Sequence, residues 1–172
     1  MTIAVTTTNI IIGACTSFKV DGTVLGGTSG GVSVEKKRTY VDLQIDQVPG
    51  IVKKGIKEET YTVKTSLAEA TLAHLQVAWG LSTAPVVATT PASTTLSLGV
   101  ETTPVEHTLV FVGPAPTTAG YTTRTFTLNR AIAMVTGAME ISKDKETLFP
   151  VEFECLPNLA DAGAEYGTVV DQ

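Results

Sequence analysis

Residues 40–81 read YVDLQIDQVPGIVKKGIKEETYTVKTSLAEATLAHLQVAWGL and join an extended arm to a strand and then to a helix. The arm, residues 40–57, intersperses Val and Ile among lysines. Such a segment is poorly suited to burial in its own core and well suited to docking on another copy. We therefore expect an inter-subunit contact built from Val48, Pro49, Gly50, Ile51, Val52, Lys53, Lys54, Ile56 and Lys57.

A strand and a helix follow the arm. Between Thr60 and Thr65 every second side chain belongs to one face, which is typical of a half-buried strand. Ser66 and Glu69 have the spacing of a capping box, and Gly80 is a common helix terminator. The pattern predicts one main helix over about residues 66–80, with a packing face formed by Ala68, Leu72, Leu75 and Trp79.

Most of the remaining chain favours strands. Asp21-Gly22 indicates a hairpin turn. The GGTSGG at residues 26–31 lacks the Gly-Lys-Ser/Thr ending of a phosphate loop, so we expect a turn or bulge there. Further strands are predicted at residues 107–112, 121–135 and 147–156.

Two regions are harder to assign. Residues 82–104 are rich in Ser, Thr, Ala and Pro, which indicates loops around one short strand near Leu96 to Val100, or a variable insertion. The tail from Asn158 is mostly small and acidic, and we expect it to drape over the surface or to be completed by a neighbour.

Length and composition predict one domain over residues 1–172. Charged residues make up 17% of the chain, below the roughly 25% of an ordinary soluble domain. This composition suits a subunit with much of its surface covered by neighbours.

Charge is unevenly placed. Residues 35–64 hold seven Lys/Arg and five Asp/Glu, a balance of +2, and the rest holds five and twelve, a balance of -7. The net charge of -5 argues against a protein that grips nucleic-acid phosphates. A basic arm could instead meet an acidic surface on another copy.

The chain shows few signs of export or of catalysis. Its start lacks the features of a signal peptide, and no stretch approaches the roughly 18 apolar residues of a membrane helix. We expect synthesis in a reducing cytoplasm with Cys15 and Cys155 unpaired. His74 and His107 lack metal-ligand spacing, so we expect structural roles, no metal, no cofactor and no enzymatic activity.

The order of these features resembles the tail tube (major tail) proteins of long-tailed bacteriophages. The resemblance rests on the Gly-rich hairpin leading into GVSVEKKRTYVDLQIDQ, the VPGIVKKGIKEETYTVKTSL arm and strand, the EATLAHLQVAWGL helix, and LFPVEFECLPN with its acidic tail. It implies a mainly β fold, a β-sandwich or partly closed barrel with one flanking helix and a long inter-subunit loop. It also implies subunits that form rings, usually hexameric, which stack into a tube through which viral DNA leaves.

The same resemblance implies partners and a location. The partners are other copies of the chain, the tape-measure protein, the tail-tip or baseplate and tail terminator proteins, and double-stranded DNA in transit without specific binding. The protein would be made in the host bacterial cytoplasm and reside in the virion tail, away from any membrane. General likeness favours a sheathless tail over a contractile one.

A channel that passes DNA should be neutral or acidic, because each cation that neutralised a phosphate would create a sticking point. Glu35, Asp42 and Asp46 are the candidates for acidic lumen residues. The alternatives are a head-tail connector or capsid decoration protein, which would stop at one ring or trimer, and a β-sandwich binding module.

Overall fold

The computed structural model describes residues 6–46, 48–117, 120–135 and 137–172. These residues form a mainly β fold with one α-helix, which confirms the predicted fold class. The strands are β1 Ser17–Val20, β2 Thr23–Val24, β3 Thr28–Ile45, β4 Val48–Leu67, β5 Val86–Thr89, β6 Ala92–Thr95, β7 Glu106–Pro114, β8 Thr123–Met134, β9 Phe149–Cys155 and β10 Gly167–Asp171, and the helix α1 is Leu72–Ala78.

Eight of these strands form one antiparallel sheet. Its order is β2-β1-β7-β8-β9-β4-β3, and β10 pairs with β8 off this path. The β1–β2 connection has positive φ at both Asp21 (50°) and Gly22 (79°), which is the geometry of a two-residue hairpin turn. That prediction is confirmed.

The Gly-rich stretch forms a bulge at the start of β3. Ser29 pairs with Ser66 and Ser33 pairs with Lys64, so β3 carries extra residues between these two pairs. Gly30 and Gly31 lie there with φ of 76° and 82°, values that favour glycine. The predicted turn or bulge is therefore found as a bulge, but it lies within β3 and not between two strands.

The sheet curls around its core. Phe18 in β1 and Phe153 in β9 would lie about 14 Å apart in a flat sheet, because β7 and β8 intervene. Their ring centroids are 6.2 Å apart. The sheet is therefore bent into a partly closed barrel, and its concave face holds the core of Phe18, Val20, Leu25, Val63, Leu67, Leu109, Phe111, Leu128, Phe149, Val151 and Phe153.

Helix α1 begins later than predicted. Ser66 and Leu67 still belong to β4 and pair with β9, so the predicted Ser66 cap and capping box are wrong. Thr71 is the N-cap, and its hydroxyl accepts a 3.2 Å hydrogen bond from the His74 backbone N–H. The β4–β9 ladder continues through Ser66 and Leu67, the first two residues of the predicted helix.

The packing face of α1 is largely as predicted. Leu75 is buried, and Leu72 and Trp79 pack against the core. Gly80 follows the helix with φ of 59°, as expected of a terminating glycine. Ala68 precedes the helix and is exposed, so its predicted place on this face is wrong.

Three of the later predicted strands are confirmed as β7, β8 and β9, but two other regions differ. Within residues 82–104 the strands are β5 and β6, which form a separate exposed two-stranded ribbon. The predicted strand near Leu96 to Val100 is not present. The tail contains β10, a strand that was not predicted, which pairs with β8 of the same copy while three of its five residues stay exposed. Completion of the tail by a neighbouring copy stays a prediction.

Candidate assembly interface

The arm is the outer half of a long β-hairpin. β3 and β4 pair from Thr28 out to Ile45, whereas β4 pairs with β9 only from Tyr61 inward. From Glu59 to Val48 the hairpin extends about 35 Å at the rise of an ordinary strand. The predicted extended arm is therefore a two-stranded ribbon that pairs with itself; Gln47, near its tip, lies outside the described residues.

Apolar side chains are exposed on both faces of the arm. Tyr40 and Ile56 face each other across the ribbon and are 55% and 57% exposed. Val41 and Leu43 lie on the opposite face and are also about half exposed. A two-stranded ribbon with apolar side chains on both faces is only marginally stable alone in water. Its exposed apolar side chains are therefore suited to burial against another protein surface.

A β-bulge separates the arm from its base. Thr39 pairs with Glu58 and Tyr40 pairs with Ile56, which leaves Lys57 as an extra residue on β4. An extra residue reverses the inward and outward alternation of one strand relative to its partner. The bulge therefore brings Ile56 onto the same face as Tyr40.

The base of the arm is held by what we call the root cluster: Lys36, Arg38, Glu59, Tyr61 and Tyr166. The Glu59 carboxylate pairs with Lys36 at 2.7 Å and with Arg38. Hydrogen bonds from Lys36, which has the larger effect, and from Arg38 lower the pKa of Glu59. Tyr61 and Tyr166 have ring centroids 4.8 Å apart, and the Tyr166 hydroxyl donates a 2.6 Å hydrogen bond to the Glu59 carbonyl oxygen.

The remaining predicted arm residues lie at the outer end of β4. Ile51 and Val52 are each about half exposed, and Lys53, Lys54, Lys57, Pro49 and Gly50 are exposed as well. Val48 begins the strand, and its side chain lies outside what the structure describes.

The three candidate acidic residues do not share one surface. Glu35 and Asp42 are an odd number of residues apart on β3, so their side chains project from opposite faces. Asp42 forms an ion pair with Lys54 at 3.3 Å, and Asp46 lies in the turn at the tip. The structure therefore does not bring these carboxylates together.

Both histidines make contacts that fix the fold locally. The His107 Nδ1 lies 2.7 Å from Asp21 Oδ2, and the other Asp21 oxygen accepts a hydrogen bond from the Thr108 N–H. These contacts fasten the β1–β2 turn to β7. The His74 Nδ1 lies 2.7 Å from the Glu69 carbonyl oxygen, at the start of α1.

Both cysteines are free, as expected. Cys155 is buried, and burial raises the pKa of its thiol to about 11. Among the residues that the structure describes, no group of three His, Cys, Asp or Glu side chains is placed to hold a metal ion. Within the same described ranges, no helix has the length and apolar character needed to cross a membrane.

Comparison of the chain with protein-family models and with curated proteins finds no match.

Sequence reasoning missed the contribution of the C-terminal segment to the base of the arm. Tyr166 is separated from Glu59 by more than one hundred residues, so no local pattern joins them. The one available signal was Tyr166 itself, a large aromatic residue in an otherwise small and acidic tail.

Proposed function

We propose that this protein is a structural subunit of a bacteriophage tail tube. In this proposal, rings of the chain, hexameric by resemblance, stack around a channel for viral DNA. The observation that carries the proposal is the arm, the outer part of a ribbon that extends about 40 Å beyond the last ladder pair with β9, with exposed apolar residues on both faces. Burial of these side chains against another copy would stabilise the arm and the assembly together.

The direction of the arm supports a contact that repeats. A surface that projects away from its own core and docks on a different surface of the next copy makes a heterologous contact, which generates rings or open polymers. The charge balance is suited to such a contact, because the region around the arm is basic and the rest of the chain is acidic.

The proposed role includes passage of DNA without binding. The balance of -7 outside residues 35–64 would disfavour adhesion of phosphates to a channel wall. The partners in this role are the tape-measure protein, the tail-tip or baseplate proteins and the tail terminator protein. The protein acts structurally in this proposal, without enzymatic activity.

The arm would become ordered in stages. We propose that its outer part exchanges between open and paired forms in the free monomer and is fixed when rings stack, at an entropic cost that keeps subunits soluble before nucleation. Hydrogen exchange in monomer and assembly tests this, since strong protection of residues 40–57 in the monomer would contradict it.

Negative-stain electron microscopy at rising protein concentration, with light scattering of the same samples, tests the proposed function. We expect long tubes of uniform width with a central channel, formed either spontaneously or on addition of a tail-tip complex. Closed rings that do not stack even on that complex would overturn the tube proposal in favour of a connector. A monomer under all these conditions would favour a binding module.

A further inference from the structure

β10 and the arm are neighbours that do not pair with each other. β8 pairs with β9 along residues 131–134 and with β10 along residues 124–128, on the edge opposite β7. β10 therefore continues the line of β9, yet it pairs with β8 and not with β4. We call the space between β10 and the β4 edge of the arm the slot.

The slot is closed at one end, and the β10 residues beside it are apolar on the concave face of the sheet. The Tyr166–Glu59 hydrogen bond joins its two walls at the base. Val169 of β10 pairs with Phe126, which stacks on Phe111 with ring centroids 4.7 Å apart. Val169 is itself 57% exposed, so this apolar layer ends at an uncovered residue.

The wall formed by β10 presents free backbone groups. Gln172 and Thr123 donate backbone hydrogen bonds to each other, both at 2.9 Å. Because hydrogen-bonded and non-hydrogen-bonded pairs alternate along an antiparallel ladder, the N–H and C=O groups of Asp171 and Val169 point away from β8. Such an edge is a template for an added strand.

The same chain holds an extended apolar segment suited to that edge. Ile10, Ile11 and Ile12 are 60%, 38% and 91% exposed, and every described residue from Thr6 to Ala14 is exposed. Ile10 already has the extended backbone of a strand, with φ of -85° and ψ of 117°. Isoleucine favours strands, and three in a row are costly to leave in water.

The isoleucine segment, residues 10–12, is poorly placed to fill the slot of its own copy. Gly13 lies against Pro114 at the end of β7, on the far side of β8 from β10. β7 and β10 are about 10 Å apart, two strand spacings. Three residues span about 10 Å when fully extended. Residues 10–12 would therefore only just reach β10 of the same copy at full extension, and in this structure they are exposed and do not pair with it.

We propose that residues 10–12 of one copy add as a β-strand to the free edge of β10 in the slot of a second copy. The backbone of the segment pairs with Val169 and Asp171, and its isoleucines cover Val169. Donor and acceptor surfaces differ, so the contact is heterologous and can repeat from copy to copy. The inference does not depend on a tail tube, because any self-assembly of the chain could use it.

Mixed disulfide formation tests the pairing directly. In a Cys15→Ser background, a tagged Ile11→Cys protein is mixed with an untagged Val169→Cys protein and mildly oxidised, up to the solubility limit. Cys155 is retained, because burial raises its thiol pKa to about 11 and the thiolate is the reactive form. We expect the yield of mixed dimer to be at least ten times that of a control pair, Leu98→Cys with Val169→Cys. Leu98 is a suitable control position because it is also exposed.

The result that overturns the proposal is a mixed dimer no more abundant than in the control. A protein carrying both Ile11→Cys and Val169→Cys that cross-links only within one chain would overturn the second-copy assignment. Tubes seen by microscopy without the mixed dimer would leave the proposed function intact and remove this contact.

Two variants test the same contact without cysteines. Val169→Pro removes a free-edge N–H but no hydrogen bond to β8, and Ile10→Asp/Ile12→Asp places charge on the donor strand. We expect each to raise the concentration for half-maximal self-association at least tenfold, with unchanged circular dichroism. Leu98→Asp/Val100→Asp, equally exposed, is the control. Wild-type association by both test variants contradicts the proposal.

Discussion

The hydroxyl of Tyr166 donates a 2.6 Å hydrogen bond to the backbone carbonyl oxygen of Glu59. This contact joins the segment before β10 to the point where the arm leaves the sheet. Because the Glu59 side chain is also paired with Lys36 and Arg38, the base of the arm is held from its backbone and from its side chains.

Removing the Tyr166 hydroxyl should loosen this junction without changing the core. We expect Tyr166→Phe to lower the free energy of unfolding by about 1 kcal/mol, the net contribution of one hydrogen bond. Amide exchange at residues 58–60 should rise. Urea unfolding and hydrogen exchange measure the two effects. Tyr121→Phe, at an exposed tyrosine, is the control, and equal behaviour of the two variants would contradict the prediction.

The Glu59 carboxylate should make the stability of the protein depend on pH. Its pKa is lowered in the folded protein, so its stabilising effect is present above the ordinary value of 4.5 and is lost as pH falls through the folded-state pKa. The melting temperature of Glu59→Gln should lie below that of the wild type at neutral pH. The difference should narrow below pH 4.5.

Thermal melts across this pH range measure the difference. Glu58→Gln, on the opposite face of β4, controls for the loss of one negative charge. If the difference in melting temperature between wild type and Glu59→Gln stayed constant down to about pH 2, the Glu59 carboxylate would not stabilise the folded protein through its charge.

Deletion of residues 49–54 should separate folding from assembly. These residues belong to the outer arm, beyond the ladder between β4 and β9. We expect a soluble protein with a melting temperature within a few degrees of the wild type that no longer assembles. Deletion of residues 88–93 from the β5–β6 ribbon is a control of equal length. Unfolding caused by the arm deletion would place the arm in the core.

Truncation of two aromatic residues should rank them by burial. Phe153 is fully buried between the sheet and Phe18, so Phe153→Ala should cost about 3–5 kcal/mol. Trp79 is only partly buried at the end of α1, so Trp79→Ala should cost less than its size suggests. Denaturant unfolding measures both values, and a larger loss for Trp79 would contradict the described packing.

Gly167 should be required for the docking of β10. Its φ is 139°, and a Cβ there would overlap the Thr127 carbonyl oxygen. We expect Gly167→Ala to detach β10 from β8 and expose the tail to proteolysis while the core stays folded. Gly163→Ala is the control, because Gly163 also has a positive φ (85°) but an added Cβ would meet nothing within 4 Å. This control separates the effect of backbone strain from the effect of atomic overlap. Equal protease resistance of the two variants would contradict the prediction.

The sequence predicts those parts of the fold whose signals are local. The Asp21-Gly22 turn and the alternation in β9 each follow from neighbouring residues, and both are confirmed. The glycines of residues 26–31 likewise predict an irregularity, which is found as the bulge between Ser29 and Ser33. The arm is predicted because apolar and basic residues alternate too closely for burial. Its function as an interface remains a prediction.

The errors arise where distant hydrogen bonds override local patterns. Ser66 and Glu69 have the spacing of a capping box, but Ser66 pairs with Pro150 in the sheet, and the Glu69 carboxylate accepts a hydrogen bond from the Gly27 N–H. β10 was missed because its neighbours in sequence are small and acidic and its partner strand lies far away along the chain. The root cluster was missed for the same reason.

The extra residue at Lys57 has a consequence for how the hairpin could change over evolution. Because of this residue, the face on which a given β4 side chain lies in the outer ribbon is not fixed by the alternation at the base. Matched insertions or deletions of residue pairs beyond this position would alter the reach of the ribbon while preserving which side chains share a face. The length of the hairpin and the packing of the barrel can therefore diverge separately in related chains.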